Sequence, residues 1–171
     1  MKRFYLLGFF FSFSFLLKAT DSIVVYIFML DDCPITQSYS LKLNELYQEY
    51  GDQFSFIGIF PNASSKKNKI DQFVIDYQIS FPTQTDYSKK RVVQFGVKIT
   101  PEVVVYNTEK DEIIYKGRID NEFADLGKRR KVVTTGELKE VLNYLSSGKE
   151  KVFPFTEAVG CFINQNDLIK N

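Results

Sequence analysis

Two cysteines and no histidine set the chemistry open to this 171-residue chain. Cys33 stands in Asp31-Asp32-Cys33-Pro34, after an apolar run and before a helix-like stretch. At a helix start, free backbone N–H groups and the positive end of the helix dipole favour thiolate, the nucleophilic form of cysteine. Asp31 and Asp32 work against it, because like charge disfavours an anion. Residue types alone leave a second reading open, in which Cys33 is a small buried side chain or half of a structural disulfide. Cys161 lies near the C-terminus behind Gly160, a residue that permits close backbone approach. The missing histidine excludes Ser-His-Asp and Cys-His nucleophilic mechanisms within the chain. It also removes the commonest metal ligand, so no metal and no cofactor is expected.

The rest of the composition is that of an ordinary globular chain, 44% hydrophobic and 25% charged, and its length suits one domain. A net charge of +1 argues against a nucleic-acid partner. Met1-Lys2-Arg3 followed by the apolar stretch Phe4–Leu17 has the length of a signal-peptide core and is short for a membrane span. Residues 1–20 are therefore expected to be a signal segment processed near Ala19 or Thr20. The alternative is an uncleaved anchor through residues 4–17, the one way in which a membrane would become a partner. Either way the chain is expected to be exported, periplasmic or secreted, where disulfides persist.

Something must hold Cys33 at a strand-to-helix junction. Ser22–Leu30 (SIVVYIFML) reads as a strand buried on both faces. Pro34 suits the first turn of a helix that runs to about Tyr50 and ends at Gly51. Phe54–Phe60 is a second buried strand. Lys66–Ile79 reads as a helix with Ile70, Phe73, Val74 and Tyr77 on one stripe. A short extended piece at Phe81–Thr83 and a short helix over Ser88–Phe95, closed by Gly96, follow. Glu102–Tyr106 and Glu112–Lys116, joined by a polar turn, read as an antiparallel hairpin. Residues 118–133 read as a loop. Thr134–Ser147 reads as a helix opened by Thr134 or Thr135. The expected organisation is a domain over residues 21–148 and a C-terminal tail over 149–171 carrying Cys161. The order β-α-β-α-(short helix)-β-β-α implies an α/β domain, a parallel βαβ unit followed by a hairpin and a covering helix.

Across roughly residues 22–147 this order resembles the thioredoxin-like superfamily. Cys33-Pro34-Ile35-Thr36 sits where that superfamily carries Cys-x-x-Cys, and Thr100-Pro101 looks like its cis-proline with the preceding residue. The closer likeness is to exported redoxin-domain proteins of the peroxiredoxin-related AhpC/TSA type. It rests on Asp32–Ile35, Thr100–Val103, Tyr115–Asp120 and Ala158–Ile163. The resemblance implies a three-layer sandwich, with a central mixed sheet flanked by helices. It implies Cys33 as catalytic nucleophile, and Thr36, Thr100 and Pro101 as candidate substrate-binding residues. Arg118 would either support the thiolate, as an arginine does in peroxiredoxins, or be a solvated strand-end residue. Two departures stand out. Thr36 replaces the second cysteine, so a local dithiol cycle is impossible. Leu30 stands where peroxiredoxins place Thr or Ser, which puts peroxide activation in doubt.

Three roles remain for Cys161. It could resolve a Cys33 sulfenic acid or mixed disulfide. It could form a static staple with Cys33 worth about 4–5 kcal/mol in the chain-entropy model. It could also stay a free or intermolecular thiol. Two functions follow. One is an exported thiol-based oxidoreductase acting on a protein thiol or disulfide or a peroxide, with an external thiol reductant. The other is a non-catalytic thioredoxin-like binding module stapled by Cys33 and Cys161. A copper-delivery variant ranks lower, because such sites use His and a nearby second Cys. The basic run Lys128–Lys131 reads as a solvated patch, Asn62-Ala63-Ser64 as a formal glycosylation sequon, and the aromatic pairs Tyr47/Tyr50 and Phe73/Tyr77 as core.

Overall fold

The computed structural model describes residues 22–164, so the expected export segment over 1–20 lies outside the described residues. Ile23–Phe28 forms β1, Pro34–Tyr50 α1, Ser55–Phe60 β2 and Lys67–Asp76 α2. Thr83–Thr85 (β3), Lys90–Phe95 (α3) and Ile99–Thr100 (β4) follow. Glu102–Asn107 (β5) and Glu112–Gly117 (β6) form the hairpin, Phe123–Asp125 (β7) and Lys128–Arg129 (β8) a second, smaller one. Glu137–Ser146 (α4) and Cys161–Phe162 (β9) complete the order. The main sheet runs β3-β2-β1-β5-β6, parallel from β3 to β1 and antiparallel from β1 to β6.

Period-two geometry explains why β1 is apolar throughout. Val25, Ile27 and Met29 face one core, with Leu43 and Leu46 of α1, Phe73 of α2 and Leu138 and Leu142 of α4. Val24, Tyr26 and Phe28 face the other, with Val92 and Phe95 of α3. A central strand with helices on both faces has no polar side to offer. The result is the expected α/β sandwich with a mixed central sheet. Tyr47 packs against Phe56 and Phe73 against Tyr77, as expected of core aromatics.

Three local expectations change. Residues 118–133 are not plain loop, since β7 and β8 pair there across a turn at Gly127, whose φ is +72°. The basic run is exposed as expected; within it Lys128 pairs with Asp125 at 3.6 Å, and Arg129 pairs with Glu122 and lies 6.0 Å from the Phe123 ring. Strands of three and two residues are too short to show a period in a polar stretch. The last helix begins at Glu137 with Gly136 as its cap residue. The Thr135 hydroxyl donates instead to Glu137 Oε1 at 2.8 Å. The second helix stops at Asp76, because Gln78 turns left-handed (φ +51°) and carries Ile79 back into the core.

Candidate active site

The junction expected for Cys33 is the one observed. Cys33 caps the N-terminus of α1 in an extended conformation (φ −86°, ψ 115°), and Pro34 opens the first turn. Its side chain makes no capping bond to the helix. The Sγ donates instead to the carbonyl oxygen of Thr100 at 3.4 Å. Thr100–Pro101 is a cis peptide, so this carbonyl belongs to the loop that the sequence singled out. Thr36 lies one turn into the helix, fully buried, and its hydroxyl has no hydrogen-bond partner among the described residues. Cys33, Thr36 and Thr100 thus form one buried corner at the top of the sheet.

The tail completes that corner. Phe153 N–H donates to Ile114 O at 2.8 Å and Thr156 N–H to Lys116 O at 3.0 Å, so the chain descends along β6. Strand β9 then pairs antiparallel with β4, with Thr100 opposite Cys161 and Ile99 opposite Phe162. The Thr100 hydroxyl donates to Cys161 O at 3.3 Å. Gly160 makes this possible by close approach, since a Cβ there would overlap the Thr100 carbonyl oxygen. Ile163 is buried in the second core, while Phe162 is 74% exposed. Both thiols are free, and they are neighbours, because Cys161 stands opposite Thr100, whose carbonyl oxygen receives the Cys33 thiol. Cys33 is only 1% exposed beneath this cover.

Electrostatics separate the two thiols. Burial pushes Cys161 from 9.0 up to about 12, aided by the hydrogen bond and charge of Cys33 and by the charge of Asp32. Asp32 therefore bears on the second thiol. Asp31 is turned away, its carboxylate accepting from the Ser65 hydroxyl. The raised value has a consequence for tail docking. Below about 9 both the docked and the released tail keep the Cys161 proton. Above it the released tail ionises first, so docking weakens as pH rises toward about 12. The Ile163 methyl resonances are expected to move toward solvent-exposed values in that window. Cys161→Ser should remove this alkaline transition, and its persistence in that variant would assign the effect to another group.

Arg118 sits elsewhere. Its Nε and Nη2 donate to Glu137 Oε1 at 2.9 and 2.5 Å, tying β6 to the start of α4. Its described side-chain bonds go to this carboxylate and not to the Cys33 sulfur, and the half-buried pair is no solvated strand end either. Asn62 of the formal sequon is buried, and its side chain accepts from Lys89 and from the Asn164 N–H, so the folded chain offers it to no glycosylating enzyme. Sequence reasoning missed Asp120. This buried carboxylate takes the Tyr39 hydroxyl (2.5 Å), the Glu122 N–H (2.8 Å) and the Lys42 ammonium, fastening the cysteine-bearing half of α1 to the loop beyond β6. An acid in a polar stretch gives no local sign that it is buried.

Comparison with known proteins gives the frame. A hypothetical protein from Sinorhizobium meliloti superposes with a TM-score of 0.70 at 21% identity, over 84% of this chain and 79% of its own. An uncharacterized conserved protein from Geobacillus kaustophilus gives 0.70 at 20%, over 84% and 77%. A secreted Mycobacterium tuberculosis disulfide oxidoreductase homologous to E. coli DsbE gives 0.51 at 16%, over 72% and 81%. These likenesses carry the fold, which is thioredoxin-like. A search of curated proteins finds no match. The AhpC/TSA family model matches residues 12–116, which include Cys33, Thr36, Thr100 and Pro101. With the fold and this match over more than half its length, the chain belongs to the AhpC/TSA family.

Proposed function

We propose that this chain is an exported thiol–disulfide oxidoreductase with Cys33 as nucleophile and Cys161 as resolving thiol. The observation that carries the reading is that β9 sets the free Cys161 opposite Thr100, whose carbonyl oxygen receives the free Cys33 thiol from the other end of the domain. Cys33 thiolate attacks a disulfide of a protein substrate, and one substrate sulfur leaves as thiolate. Cys161 then passes its proton to the first substrate thiolate and attacks Cys33 Sγ, expelling the second substrate sulfur as thiolate. The substrate gains two electrons, and Cys33 and Cys161 become a disulfide that an external thiol must reduce. Forming the mixed disulfide removes the charge of Cys33, one of the influences that keep Cys161 protonated. Thr100 and Pro101 form the wall against which substrate sits, and Thr36 lines its floor. Peroxide is the weaker substrate, because Leu30 offers no hydroxyl and the donors of Arg118 go to Glu137. Export rests on the basic and apolar start of the chain, and the secreted Mycobacterium tuberculosis oxidoreductase is a neighbour in fold.

Burial of Cys33 under β9 favours a second reading, a non-catalytic binding module stapled by the same disulfide. One experiment separates the two. In a glutathione redox buffer with a model disulfide substrate, the wild type is expected to form the Cys33–Cys161 bond reversibly, as read by intact mass. Cys161→Ser should accumulate the mixed disulfide on Cys33. A wild-type bond that resists reduction in the folded state, with no mixed disulfide in the variant, would establish the staple instead.

A further inference from the structure

Strand β9 is two residues long and pairs with another two-residue strand. So short a ladder frays unless its ends are tied. The upstream end is fixed at Gly160, packed on the Thr100 carbonyl. The downstream end is fixed from two places, the turn before β4 and the loop after β2. Ile163 N–H donates to Lys98 O at 2.9 Å, and Asn164 N–H donates to Asn62 Oδ1 at 3.0 Å. Asn62 is itself buried and held. Lys89, fully buried, donates from Nζ to the same Oδ1 at 3.2 Å and to the Pro61 carbonyl. A charged donor on one side of a carboxamide oxygen fixes its orientation toward the second donor.

We propose that Asn62 is a positioning residue for the Cys33–Cys161 couple. Oriented by Lys89, it clamps the end of β9. The clamp sets how much of the time Cys161 lies on Cys33 and how much of the time Cys33 is open to an outside reagent. The redox half of this inference rests on the proposed function; the shielding half does not. Loss of the clamp lowers the effective concentration of Cys161 at Cys33 and raises the open fraction by the same factor.

The test uses two readouts. Alkylation of Cys33 by iodoacetamide, in a Cys161→Ser background, reads shielding without any disulfide. The Cys33–Cys161 disulfide equilibrium against glutathione, with Cys161 present, reads positioning. Asn62→Ala is expected to raise the alkylation rate about fivefold and lower the disulfide equilibrium constant about fivefold, the effect of one buried hydrogen bond. Asn164→Pro removes the N–H donor, leaves Asn62 and Lys89 in place and, measured against Asn164→Ala, which loses the side chain alone, should do the same; it decides the matter if Asn62→Ala fails to fold. Asn62→Asp keeps the acceptor oxygen and should stay at the parent values. Unchanged alkylation in Asn164→Pro, or an Asn62→Asp variant as open as Asn62→Ala, would overturn the proposal. A wild type that forms no Cys33–Cys161 bond at all would overturn the proposed function, while the alkylation readout still scores Asn62.

Discussion

Gly160→Ala is expected to lift the tail from the domain and raise the alkylation rate of Cys33 on the order of 50-fold. The reason is steric. The added Cβ would fall on the Thr100 carbonyl, a backbone group of β4, and crowd the Ile99 side chain. Overpacking against a backbone that cannot yield costs about 2–3 kcal/mol. Here the cheapest relief is release of β9, because few bonds hold it. The main sheet does not depend on the tail, so far-UV circular dichroism should be unchanged. Mass spectrometry of the alkylated peptides gives the rate, and hydrogen exchange at Ile163 reports the tail directly. If β9 stayed protected and Cys33 stayed as slow as in the wild type, the docked tail would not be what shields the thiol.

Asp120→Ala should have the largest effect on stability, about 3 kcal/mol and roughly 10 °C in the unfolding midpoint. It leaves the Tyr39 hydroxyl and the Glu122 N–H without their partner in a buried place. Lys42 contributes less, since its side chain is 37% exposed and water screens the pair. Tyr39 supplies a second readout. Burial holds its pKa well above the ordinary tyrosine value, followed by the hydrogen bond and charge of Asp120. Removing Asp120 takes away two of those influences, so the spectroscopic titration of Tyr39 should move down. An unaltered midpoint would mean that α1 is oriented by its apolar face alone.

Much of this architecture was legible in the residues. The run Ser22–Leu30, rich in β-branched and aromatic residues, suits a strand buried on both faces, and a proline after Cys33 suits the first turn of a helix, where its missing N–H costs nothing. Both inferences are local, because period and backbone geometry act over a few residues. The hairpin at β7 and β8, the burial of Asp120 and the pairing of Arg118 with Glu137 are not local. Asp120 and Arg118 depend on partners elsewhere along the chain and the short hairpin on pairing across a polar turn, and a charged residue looks the same in sequence whether solvated or paired. The sequon at Asn62 makes the same point, since the motif is intact but the side chain is turned inward to Lys89 and Asn164.

By itself the sequence determined that Cys33 sits at a strand-to-helix corner, that it has no neighbouring cysteine in the motif and no histidine to activate it, and that any partner within the chain is Cys161. Only the tertiary structure decided whether the tail reaches. It does so because a residue without a side chain at 160 lets the tail backbone approach Thr100, and because Ile163 gains a buried seat in the second core. Strand pairing and burial between segments this far apart are set by the whole packed domain, so no stretch of residues announces them.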